Sequence, residues 1–158
     1  MVRRDIALPY VRPLRVISVD TMGSELAVRA ALEDMRGALT KAALDEDTLG
    51  SVTLVLAEAL NNIAEHAYAG MQPGQVQVRA EIFADYIVIQ LRDHGCALPG
   101  LQLPAGHLPD ASGPRESLPE GGFGWFLIHE LTETLNYKRA NGENSLELRF
   151  ARKPCSGS

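Results

Sequence analysis

No stretch of the chain approaches the run of about 20 apolar residues that a membrane-spanning helix needs. The N-terminal segment MVRRDIALPYVRPLRV has no apolar signal core, so export is not expected. Cysteine is scarce, only Cys96 and Cys155, which excludes a disulfide framework and leaves two reduced thiols of a cytoplasmic protein as the expectation. Neither they nor the four histidines form a spaced metal-ligand cluster. An excess of positive charge is also missing. Fifteen Lys and Arg against 20 Asp and Glu leave a net charge of −5, which argues against nonspecific binding to nucleic acid or an anionic membrane. No internal repeat is present. What remains is a 158-residue chain with 46% hydrophobic and 22% charged residues, enough for one ordinary globular domain with a sizeable core.

The most informative stretch is LVLAEALNNIAEHAY, the second half of a helix expected from about Glu46 to Tyr68. Val52, Val55, Leu56, Ala59, Leu60, Ile63 and Ala67 recur at the spacing of an amphipathic stripe. The other side carries Glu58, Asn61, Asn62, Glu65 and His66, with Glu58, Asn62 and His66 each four residues apart. Four-residue spacing stacks side chains on one helix face, drifting by roughly 40° per step. A carboxylate, an amide and an imidazole are thereby offered to one place. A solvated polar face is the alternative, against which two consecutive asparagines weigh, since Asn is a poor helix former. The arrangement H-E-x-x-H is missing, which excludes a metalloprotease helix.

Taken in order, residues 1–13 read as an irregular lead-in and LRVISV, from Leu14 to Val19, as a strand. Asp20 or Thr21 can cap a first helix, Ser24 to Leu44, with Leu26, Ala30, Leu32 or Glu33, Met35 and Leu39 as its apolar stripe. Asp45 caps the central helix, which Gly70 and Pro73-Gly74 end. Val76 to Phe83 and Tyr86 to Leu91 alternate as a hairpin. From Cys96 to Glu120 come five prolines and glycines at 100, 106 and 113, a loop long enough to be functional or disordered. Gly121-Gly122-Phe123-Gly124 leads into a helix from Trp125 to Thr134, followed by strands Leu135–Arg139 and Ser145–Phe150 joined at Asn141-Gly142. Residues 152–158 read as a frayed tail. This order predicts an α+β fold, a two-layer sandwich in residues 14–151 with a mixed, mostly antiparallel sheet covered on one face by three helices. It is not the alternation of a dinucleotide-binding sheet.

Three separated pieces fit together: Glu58 with Asn62, Asp93-His94-Gly95 at a strand end, and Gly121-Gly122-Phe123-Gly124 before a helix. In this order they resemble the N-box, G1 box and G2 box of the histidine-kinase-like (GHKL) ATPase superfamily. Within it, LAEALNNIAEHAY and GGFGWFLIHEL look like the bacterial anti-sigma factor serine kinases. The resemblance implies ATP and Mg²⁺ as cofactors and a role for each piece. Glu58 matches the family's catalytic base, and Asn62 the ligand of magnesium, which keeps phosphates and waters beside only one or two protein groups. His66 matches a frequent family histidine, with a phosphate-side role and simple packing both open. Asp93, an acceptor when ionised, takes the adenine amine, and Gly95 lets the backbone approach. Gly122, Phe123 and Gly124 bring main-chain N–H groups to the phosphates at a helix start. Cys96 to Glu120 becomes a lid, with Arg115 a candidate phosphate contact. Ser145 sits where family members carry a hydroxyl near the site. The family often reads D-x-G-x-G, and here Ala97 stands at the second glycine.

The implied function is an ATP-dependent protein-serine kinase that doubles as a cytoplasmic anti-sigma factor. It would phosphorylate a STAS-type antagonist, sequester a sigma factor and form a homodimer, with Arg29 on the partner-facing first helix. No direct nucleic-acid or membrane partner is expected. A sensor histidine kinase would need a dimerisation helix bearing a phospho-accepting histidine, and a topoisomerase or chaperone would need transducer domains. The alternative is a nucleotide-binding partner switch without kinase activity.

Overall fold

A computed structural model describes residues 10–106 and 122–153. Strand β1 (Arg15–Met22) precedes helices α1 (Glu25–Lys41) and α2 (Glu46–Asn62). Strands β2 (Gln75–Ile82) and β3 (Tyr86–Asp93) follow, then α3 (Gly122–Leu131), β4 (Thr134–Ala140) and β5 (Glu143–Ala151). The five strands form one sheet in the order β1-β2-β3-β5-β4. All four pairings are antiparallel, so the sheet is antiparallel throughout among the described residues where a mixed one was expected.

Period-two alternation decides the two faces of this sheet. Val76, Val78, Ala80 and Ile82 of β2, Ile87, Ile89 and Leu91 of β3, and Leu146, Leu148 and Phe150 of β5 are all buried. They meet Val52, Val55, Leu56, Ala59 and Leu60 of α2 and the apolar faces of α1 and α3 in one core. The opposite face carries Gln77, Arg79, Gln90, Arg92 and Glu147, and among the described residues no helix lies over it.

Local chemistry sets the boundaries. Strand β1 runs on to Met22, so the cap of α1 is Ser24, whose hydroxyl accepts the Ala27 N–H at 3.3 Å, and neither Asp20 nor Thr21. That start sets the helix phase: Val28, Ala31, Met35 and Leu39 are buried, whereas Leu26 is 79% exposed and does not join the stripe. Asp45 caps α2 as expected, accepting from the Thr48 N–H at 3.0 Å and from its hydroxyl. Asn141 and Gly142 both hold positive φ, 53° and 75°, as a two-residue turn matched to the twist of β4 and β5 requires.

The central helix does not stay α-helical to Tyr68. After Asn62 the backbone widens into a π-turn, Ile63–Ala67, closed by the Tyr68 N–H on the Ile63 carbonyl at 3.2 Å. Tyr68 is then held between two glycines: a Cβ on Gly23 or on Gly74 would lie 2.2 or 2.7 Å from its ring. Its hydroxyl donates to the Gln75 carbonyl at 2.8 Å and accepts the His94 N–H at 2.9 Å. Burial pushes the Tyr68 phenol up from its ordinary value. Single π-turns inside α-helices gather at functional sites, and this one ends beside a cavity lined by Ile63, His66 and Ala67.

Candidate functional site

Helix α2, the end of β3, the segment after it, α3 and the β4–β5 hairpin enclose a cavity of about 510 Å³. Asn62 and His66 line it from α2 and the π-turn, Asp93 from β3, Trp125 from α3, and Tyr137 and Asn144 from the hairpin. The volume falls in the range of small-molecule and cofactor sites, and the wall is mostly apolar with a few polar groups converging on it.

Asp93 is the polar floor. It is only 4% exposed, a placement that a carboxylate tolerates only with donors around it. Its Oδ1 accepts the Gly95 N–H and the Asn144 Nδ2–H, each at 2.9 Å. Gly95 is needed at its position for lack of room, since a Cβ there would lie 2.4 Å from the Ala67 carbonyl oxygen. The same carbonyl accepts the Cys96 N–H at 2.7 Å, which ties the π-turn to the segment after β3. Ala97 lines the cavity where a second glycine was noted as missing. The Cys96 thiol is free and exposed.

Asn144 escaped the sequence reading, which singled out its neighbour Ser145. In β5, Asn144 shares the inward face with Leu146 and Leu148, and it lies directly across from Asp93 in register. Ser145 points to the other face, where its hydroxyl accepts from Gln90 Nε2 at 3.2 Å, so it cannot reach the cavity. The alternation of Leu146, Leu148 and Phe150, extended back by two, was the signal that would have found Asn144. Its amide nitrogen also donates to the Cys96 carbonyl at 2.9 Å, while its oxygen accepts the Tyr137 hydroxyl at 2.6 Å and Arg139 Nη1 at 2.7 Å.

Helix α2 supplies the second polar group. Among the described residues, Asn62 Nδ2 is the one buried side-chain nitrogen or oxygen without a hydrogen-bond partner. A buried amide left unpaired costs about 1–3 kcal/mol, and a group kept at that cost beside a cavity fits a ligand that satisfies it. Exchange of the amide nitrogen and oxygen would place an acceptor there equally well. No three His, Cys, Asp or Glu side chains converge among the described residues. A hard cation in this cavity would therefore draw on an amide oxygen, waters and a bound phosphate, the donor set that suits magnesium.

Glu58, one turn before Asn62, is half-buried, and its carboxylate meets the first turn of α3: a Cβ on Gly124 would lie 2.6 Å from Oε2. Helix α3 begins at Gly122, and Phe123 is 56% exposed. His66 reaches the cavity margin with a ring 54% exposed, 3.9 Å from Glu65. The four-residue spacing from Asn62 to His66 runs through the π-turn, and both side chains still line the cavity. Arg29 lies away from the cavity, exposed on α1 and paired with Glu25 at 3.4 Å. Gly121, Arg115 and the lid beyond Gly106 lie outside the described residues.

A family model described as the histidine kinase-like ATPase domain matches residues 24–150. A serine-protein kinase RsbW of Oceanobacillus iheyensis is 27% identical over 111 residues, 68% of this chain and 69% of the relative. One from Bacillus cereus is 26% identical over 120 residues, 75% and 74% of the two chains. Among solved structures, the RsbU and RsbW domains of Rv1364c from Mycobacterium tuberculosis superpose with a TM-score of 0.63 at 15% identity. That match covers 90% of this chain and only 34% of the other. A blue-light activated histidine kinase of Erythrobacter litoralis gives a TM-score of 0.51 at 17% identity, covering 77% and 40%. At these identities the solved structures speak to the fold alone.

Proposed function

This chain belongs to the histidine-kinase-like ATPase domain family, and from that premise we propose that it is a cytoplasmic Mg-ATP-dependent protein-serine kinase and anti-sigma factor. The observation that carries the reading is the unpartnered Asn62 amide lining the same cavity as the buried Asp93, with the Glu58 carboxylate one helical turn away. Serine as the acceptor is supported by the name of the relatives, serine-protein kinase RsbW. The STAS-type antagonist, the sigma factor and a homodimer follow from the likeness of LAEALNNIAEHAY and GGFGWFLIHEL to anti-sigma factor kinases.

In this reading Asp93 accepts the exocyclic amine of adenine, and Gly95 lets the backbone close against the π-turn. The first turn of α3, with Gly122, Phe123 and Gly124, offers main-chain N–H groups and the positive end of a helix to the phosphates. Asn62 would hold Mg²⁺, which when bound neutralises charge on the phosphates. Glu58 orients the attacking hydroxyl of the protein substrate and takes its proton. His66 stands at the rim on the phosphate side, and Arg115 is kept as a phosphate contact from the sequence alone. Arg29, exposed and clear of the cavity, faces the protein partner.

The test is transfer of labelled γ-phosphate to STAS proteins encoded by the same organism, with nucleotide binding followed in parallel. ATP with magnesium at 100 times its dissociation constant should stabilise the fold by about 2.7 kcal/mol. Phosphate on a serine or threonine of one STAS protein is the expected result. Binding without transfer to any of them would leave a nucleotide-gated partner switch as the function.

A further inference from the structure

The bracket of hydrogen bonds around Asn144 has no task in the kinase reading so far. Its orientation is unambiguous. Arg139 can only donate, and the carbonyls of Gly95 and Cys96 can only accept. The Asn144 oxygen therefore faces Arg139 and Tyr137, and its nitrogen faces Asp93 and Cys96. With the Gly95 N–H, the Asn144 amide fills the Oδ1 side of Asp93. Oδ2 receives no hydrogen bond from the described residues, and it is not among the buried unpartnered atoms, so it is left to the cavity that Asp93 lines.

We infer that Asn144 is a positioning residue that decides which purine this pocket accepts, by holding Asp93 with one acceptor oxygen turned to the base. The inference rests on the nucleotide-binding reading above and goes beyond it, since Asp93 alone does not fix where its second oxygen points. An acceptor pinned in place matches a 6-aminopurine, whose amine donates. It opposes a 6-oxopurine, whose carbonyl oxygen would face the carboxylate with no proton between them. A site built around one hydrogen bond rejects ligands that lack it far more strongly than an apolar wall does.

The pinning comes from behind. The Tyr137 hydroxyl donates to Asn144 and accepts the Leu98 N–H at 3.0 Å, and Arg139 Nη1 bridges Asn144 and the Gly95 carbonyl. Without Asn144, Oδ1 keeps only the Gly95 N–H. The carboxylate then gains freedom to rotate, and a water can enter to join it to a 6-oxo group.

The experiment measures the affinities of ATP and inosine triphosphate, which differ at the 6-position, for the full chain and for Asn144→Ala and Arg139→Gln. Wild type should favour ATP by about 100-fold or more. Asn144→Ala should cut that ratio by about tenfold, the equivalent of one ordinary hydrogen bond. Arg139→Gln, at an exposed position, should cut it by less and in the same direction. A purely structural role would weaken both nucleotides alike and leave the ratio unchanged, which would overturn the inference. If Asn144→Ala does not fold, Arg139→Gln decides, and an unchanged ratio again overturns it. A wild type that binds neither nucleotide sinks the nucleotide-binding reading as well; one that discriminates while both variants keep its ratio sinks this inference alone.

Discussion

A side chain on Gly124 would collide with the carboxylate of Glu58, its Cβ lying 2.6 Å from Oε2. The clash is with the far end of a flexible side chain, so an alanine displaces Glu58 without disturbing backbone. Gly124→Ala should move the melting temperature by no more than a few degrees, with better helix propensity at 124 offsetting the strain. Phosphoryl transfer should nevertheless fall about tenfold or more, because the displaced group is the proposed base. Thermal unfolding and the transfer assay on the same preparation check both halves.

Gly95→Ala is the opposite case. Its Cβ would lie 2.4 Å from the Ala67 oxygen and 2.6 Å from the Ala67 carbonyl carbon, and neither can step aside alone. Overpacking of this kind costs about 1–3 kcal/mol, which for a domain of this size lowers the melting temperature by roughly 3–10 °C. The Cys96 N–H bond to Ala67 should open with it, visible as faster hydrogen exchange at Cys96.

Asn62 and Glu58 should separate stability from chemistry. Asn62→Leu removes an unpartnered buried amide, so stability should hold or rise, by up to about 1–3 kcal/mol, while magnesium-dependent ATP binding is lost. A drop in stability on that substitution would mean that the amide is satisfied in solution.

Glu58→Gln should bind ATP nearly as wild type does and transfer phosphate about 10²–10⁴-fold more slowly. Nucleotide titration beside single-turnover transfer reads the two steps apart, and equal transfer rates would remove Glu58 from the role of base.

Acid stability should depend on Asp45. Bonds from the Thr48 hydroxyl and then the Thr48 N–H hold its carboxyl below its ordinary value near 3.8. A native value below the unfolded one adds stability that is complete above about pH 4 and fades as pH falls through the lower native value. Asp45→Asn keeps a capping oxygen and removes the titration. Its melting temperature should therefore fall less steeply than that of wild type below pH 4, with the two curves running parallel above pH 5.

Much of this architecture was legible because burial writes a period into the sequence. The α2 stripe, the β2–β3 hairpin and the Asn141-Gly142 turn follow from period and turn chemistry. That Asp93 and Asn62 meet at one cavity was implied by the resemblance of the three boxes, taken in order, to the histidine-kinase-like ATPases. What escaped was phase. The extra residues of β1 moved the α1 cap to Ser24 and turned Leu26 outward. The π-turn after Asn62 leaves no compositional mark, because it is favoured by the contacts Ala67 and Tyr68 make with Cys96 and His94 far along the chain. Ser145 was singled out by residue type, but face is decided by parity with Leu146, and parity chose Asn144.

That parity has a consequence for how the pocket can change over evolutionary time. Asn144 faces inward because Leu146, Leu148 and Phe150 do, and burying three such side chains is worth about 1.5–3 kcal/mol each. A hydrogen bond is worth about 1 kcal/mol, so the bracket around Asp93 does not set the register; the apolar residues of β5 do. The address of position 144 is thus guaranteed by the buried apolar residues of β5, and the letter written there is free to vary. If Asn144 positions Asp93 as inferred above, a lineage could relax its nucleotide preference at this one codon without re-registering a strand, whereas changing the address would require three hydrophobic residues to turn outward at once.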